Sequence, residues 1–102
     1  MAQDLQLQLL TCDLGLRRID DRQERFFRAL LTQSASELKS KGVELDDSDT
    51  GDDLFVVSYA AWLYRSRSSA DQGSPALPES LRLQIRDRQL AAIQRRAQNA
   101  SL

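Results

Sequence analysis

The side chains able to do chemistry in this sequence fall into three groups: a run of carboxylates, two zones of arginines and a lone cysteine. The carboxylates crowd into residues 44–53 as Glu44, Asp46, Asp47, Asp49, Asp52 and Asp53. Alternating oxygen ligands such as Asp47 and Asp49 are what a calcium loop uses. Gly51 nevertheless comes one position too early for an EF-hand, and the bidentate glutamate at its last position is missing. A carboxylate pair for acid–base work needs an apolar wall to push one pKa up. This stretch has little apolar content, so it reads as a solvated loop. Its plain role is to start a helix: Thr50 is the expected N-cap, and Asp52 and Asp53 favour the positive helix end.

Cys12 is the only cysteine and there is no histidine. One thiol forms no internal disulfide, and without histidine the commonest general base and transition-metal ligand are gone. The four glycines are scattered, so no glycine-rich phosphate loop exists. The serines between residues 66 and 75 fit a polar linker. The expectation is a protein that is not an enzyme, with no cofactor and no metal. The arginines remain. Arg17, Arg18, Arg22, Arg25 and Arg28 form one zone, and Arg82, Arg86, Arg88, Arg95 and Arg96 form another. Solvated helix faces explain most of them; contact with phosphates is the functional alternative. No aromatic residue alternates with them, Phe26 and Phe27 standing together between Arg25 and Arg28, which argues against a base-stacking surface for single strands. A small α-helical nucleic-acid-binding or regulatory module is therefore the alternative function.

The elements that carry these residues are helices. At 102 residues and net charge −1, the chain is one domain, residues 1–102, with no global attraction to nucleic acid or membrane. No basic start followed by an apolar core and cleavage site is visible, so a reducing cytoplasm is the expected compartment. Residues 54–64 hold the tryptophan, both tyrosines and Phe55, with Ser58 as the only polar member. At 100° per residue their apolar side chains point nearly all round, which predicts a buried central helix over about 51–67, ended by Arg65 and Arg67. The run is too short to span a bilayer, which takes roughly 20 apolar residues.

Three more helices surround it. Leu5, Leu7 and Leu9 alternate as in a strand, but Leu7, Leu10 and Leu14 also keep helical spacing, and leucine and glutamine favour helix. A helix from Asp4 to about Leu14, stopped by Gly15, is expected. Asp20 with Gln23 has capping-box spacing, and the stripe Phe26, Phe27, Leu30, Leu31, Ala35, Leu38 predicts an amphipathic helix to about Lys41, stopped by Gly42. After a polar linker, Pro78 fits the first turn of a last helix reaching about Gln98. That helix carries two stripes. Leu81, Ile85 and Ala92 form one; Leu83, Leu90, Ile93 and Ala97 form the other, nearly opposite. One stripe suffices for a helix at the edge of a monomer, so the last helix is expected to project and to offer the second stripe to a neighbour. Leu83, Leu90 and Ile93, with Arg82, Arg86, Arg88, Arg95 and Arg96, are the candidate interface residues.

The order of these features is that of a known family. "LGLRRIDD" comes first, then an amphipathic helix ending in "KSKG", an acidic loop, "LFVVSYAAWLYRSR", a short linker and "LPESLRLQIRDRQLAAI". From about Leu5 to Ile93 the chain resembles the small head–tail connector proteins of tailed bacteriophages, the DNA-packaging adaptors. The "YAAWLY" helix followed by basic residues is the most specific part; the family's start of the second helix appears only as "LRRID". The resemblance implies an all-α fold and a structural, non-catalytic role in head completion. A ring would form beneath the portal after packaging, join head to tail, and let the genome DNA pass. The implied partners are the portal protein, a downstream neck or tail-completion protein and further copies of the chain. The implied location is the virion, and the host cytoplasm during assembly. The free subunit is expected to be monomeric, since rings closed early would compete with portal docking.

Overall fold

Helical periodicity wins over strand alternation everywhere it was in question. The computed structural model describes residues 2–46, 48–68 and 77–100, and these form four α-helices with no strand among the described residues. They are α1 (Ala2–Asp13), α2 (Asp21–Ser40), α3 (Thr50–Ser68) and α4 (Glu79–Ala100). Leu7 and Leu10 of α1 are buried while Leu5 is 39% exposed, the outcome of a 3.6-residue period rather than a two-residue one. Gly15 and Gly42 follow α1 and α2 with φ of 74° and 91°, left-handed conformations that favour glycine after a helix.

Side chains fix the start of α2 and α3. Asp20 accepts from the Gln23 backbone N–H at 2.7 Å, and the Gln23 side chain accepts from the Asp20 N–H at 3.0 Å. This is the capping box the spacing predicts. At α3 the cap is Asp49, not Thr50. The Asp49 carboxylate accepts from the Gly51 N–H at 2.8 Å, and its carbonyl accepts from Asp52 and Asp53. Thr50 is the first helical residue. Two capping types side by side were indistinguishable by type alone, and the carboxylate is the stronger acceptor for helix-end N–H groups. Pro78 lies just before α4, its carbonyl accepting from the Arg82 N–H at 3.0 Å.

The core lies between α1, α2 and α3, which pack pairwise. Gln6 donates to Asp53 and Arg65 to Asp13, so α1 runs parallel to α3. Phe27 packs edge-on against Tyr64, and Tyr59 donates to Glu37, so α2 runs antiparallel to it. Leu10, Phe27, Leu31, Leu38, Val56 and Ala60 are essentially inaccessible. The central helix is not enclosed all round: Leu54 is 49% exposed and Ser58 is exposed. Trp62 is only half-buried, with its indole N–H out of water and without a partner among the described residues. It lines a cleft between α3, Asp13 at the end of α1 and the first turns of α4. The polar linker expected from Ser66 starts later, because residues 66–68 continue α3; the remainder of that expected linker lies outside the described residues.

Tyr59 gives the core a pH signature. Burial pushes its phenol up to about 12, and the hydrogen bond and charge of Glu37 push in the same direction. The folded state favours the protonated phenol, so its contribution is complete below the ordinary value of 10.0 and disappears as pH rises through about 12. Chemical denaturation across that window should show stability falling, and Tyr59→Phe should flatten the decline. An unchanged slope in the variant would contradict the assignment.

Candidate functional site

The arginines of α4 and the acids around the start of α3 are brought together within the chain. α4 runs back along α3: Leu81 and Gln84 lie beside Trp62 and Arg65, and further on Arg88 reaches Asp52. Asp52 is 8% exposed and also accepts from the Asp46 backbone N–H at 2.7 Å. The Arg88 guanidinium stacks over the Phe55 ring at 4.3 Å, so its charge is held by a carboxylate and a π-face together. The next residue, Gln89, donates to the Lys41 carbonyl at 2.7 Å. Arg95 and Arg96 both pair with Glu44, at 2.8 and 3.3 Å. A cleft of about 470 Å³ lies beneath these pairs, lined by Glu44, Asp46, Asp49, Asp52, Arg88 and Arg95.

The acidic stretch is thus less solvated than its composition suggested. Asp53 is 4% exposed and accepts from Gln6 at 2.9 Å; Asp52 pairs with Arg88. Two hydrogen bonds from Ser48 hold the Asp46 carboxyl below its usual range, which keeps it an acceptor. Each described acid of the stretch accepts a hydrogen bond or an ion pair from a neighbour, Asp47 lying outside the described residues, and among the described residues no three acids are arranged to hold a metal ion. Pairing buried or half-buried carboxylates with arginine is what such groups require, and it fixes α4 against the acidic loop.

The eight candidate interface residues separate into two sets. Arg88, Arg95 and Arg96 turn inward to the chain's own acids, so these arginines and the acidic loop are one clasp rather than two unlike surfaces offered to neighbours. Leu83, Leu90 and Ile93 point outward, 53%, 50% and 59% exposed, while Leu81, Ile85 and Ala92 of the first stripe are buried. Arg82 and Arg86 are exposed and pair with no acid among the described residues. Every residue from 93 to 100 is exposed, and Arg95 and Arg96 are the last of them to pair with an acid of the body. The radius of gyration, 15.0 Å, exceeds the roughly 13 Å of a compact chain this long. The clasp itself escaped the sequence reading; the abundance of both charges in two separate stretches was its only trace.

Elsewhere, Arg28 pairs with Asp4 at 2.8 Å and Glu24 at 3.4 Å, and the Asp4 hydrogen bond raises its pKa further. Arg17, Arg18, Arg22 and Arg25 are exposed at the start of α2 and the turn before it. Cys12 is exposed on α1. Among the described residues no helix is long and apolar enough to cross a membrane. No protein-family profile, no curated protein and no solved structure matches this chain.

Proposed function

We propose that this all-α domain is a structural head–tail connector of a tailed bacteriophage, which forms a ring beneath the portal after DNA packaging and joins head to tail. The resemblance in the order of its sequence features, from the "LRRID" segment to the last helix, points to the family. The observation that carries the reading is the outward stripe of Leu83, Leu90 and Ile93 on the last helix. Exposed apolar residues aligned on one element mark a contact surface. Asp52 and Glu44 of the body hold α4 in place through Arg88, Arg95 and Arg96, which leaves the stripe facing away from it. Portal protein and neighbouring copies are its partners, and the genome passes through the ring.

The arginines of α4 weigh against the nucleic-acid-binding alternative, since three of the five face acids of the same chain. One pair of measurements separates the readings. The purified protein should co-sediment with DNA-filled heads bearing the cognate portal, and should leave the anisotropy of a labelled duplex unchanged at moderate salt. Tight duplex binding with a steep salt dependence, and no association with heads, would reverse the conclusion.

A further inference from the structure

α4 is held in a different way from the other three helices. α1, α2 and α3 close on one another around Leu10, Phe27, Leu31 and Val56, and each of their pairings brings backbones close together. Among the described residues α4 makes no comparable approach to any of them. Of its 22 residues only Leu81, Ile85 and Ala92 are buried, and Leu81 and Ile85 are all that it adds to the core cluster. Arg88 and Gln89 are half-buried and the rest of the helix is exposed. Its second half is held by polar groups. Arg88 pairs with Asp52 and covers a face of Phe55, Gln89 donates to the Lys41 carbonyl, and Arg95 and Arg96 share Glu44.

These two kinds of hold answer differently to salt. Apolar burial is not weakened by added salt. Ion pairs in water are, because the Debye length falls from about 10 Å at 0.1 M to about 3 Å at 1 M. Arg95 and Arg96 are exposed, so their pairs with Glu44 are the ones that screening reaches first. The Arg88 pair is sheltered by the burial of Asp52 and by the Phe55 ring, and keeps more of its strength.

We propose that α4 is a strap that leaves the body as one unit, at a threshold set by ionic strength, while α1, α2 and α3 stay folded. Elements with few buried apolar contacts lie at the low end of local opening free energies. Release uncovers the face of Phe55 now under Arg88, the carboxylates of Asp52 and Glu44, and the first stripe of α4. The body keeps Leu10, Phe27, Leu31 and Val56, none of which lies on the strap. The device rests on the contacts of α4 alone, whatever the protein's function.

Hydrogen exchange of the purified full chain, read by mass spectrometry, tests this. At about 0.1 M sodium chloride the amides of residues 81–92 should exchange together, and faster than those of residues 54–64. At about 1 M the first set should speed up about fivefold and the second should not change. Glu44→Gln with Asp52→Asn should give the fast rate at low salt and abolish the salt response. Arg95→Gln with Arg96→Gln, which leaves the body untouched, should abolish part of it. Trp62 shares a cleft with Leu81 and Gln84, so its emission should shift to the red in step with the exchange. Equal rates for α3 and α4 at both salt concentrations would mean that the four helices open as one. Acceleration confined to residues 93–100 would be fraying of an exposed end. A salt response that survives both variants would leave the ion pairs without a part. Each of these three results would overturn the proposal.

Discussion

Phe27→Ala should cost about 3–5 kcal/mol, the range for deleting a large aromatic side chain from a closed core. Phe27 is 1% exposed, with its ring 5.6 Å from Tyr64 and 5.7 Å from Phe26. It joins α2 to the C-terminal half of α3, where no other aromatic is buried to the same degree. A domain of this size has roughly 5–15 kcal/mol in total, so the loss is a large fraction of it. With about 4–8 °C per kcal/mol, the midpoint should fall by about 12–40 °C. The adjacent Phe26 is the control. It is 37% exposed, with one face under the Arg67 guanidinium, and Phe26→Ala should cost about 1 kcal/mol. Equal losses for the two in urea melts would mean that the chain does not bury α2 in the phase described.

The second large effect is on assembly. Leu83→Ser combined with Leu90→Ser removes two exposed side chains, and exposed substitutions usually change stability by less than about 0.5 kcal/mol each. The variant should therefore melt close to the parent. Under the connector reading it should also fail to join portal-bearing heads, leaving DNA-filled particles without tails. The clasp makes this separation of folding from assembly possible. Asp52–Arg88 and Glu44 with Arg95 and Arg96 hold α4 through one face, while the substitutions change another. If the variant unfolds, the second stripe belongs to the monomer core. If it folds and still completes infectious particles, the interface lies elsewhere.

How far the sequence could be read depended on the range of each interaction. α2 was legible almost to the residue, because its stripe, its capping box and Gly42 are all local patterns. Both stripes of α4 were legible for the same reason: Leu81, Ile85 and Ala92 are buried, and Leu83, Leu90 and Ile93 are exposed. The clasp was not. Asp52 and Arg88 are 36 positions apart, and nothing in a local pattern says which acid meets which arginine. The same blindness assigned Trp62 to the core. Its neighbours on α3 are apolar all round, but the side that faces α4 is covered only in part, which periodicity on one helix cannot reveal. The cap at Asp49 was missed for a smaller reason, the presence of two good capping residues in succession.

The connector assignment is tested most directly by cryo-electron microscopy of DNA-filled, portal-bearing heads incubated with an excess of the purified protein. The account predicts a ring of helical density beneath the portal, with the outward face of α4 buried against a neighbouring subunit or the portal itself. Heads whose portals remain bare at saturating protein would contradict it.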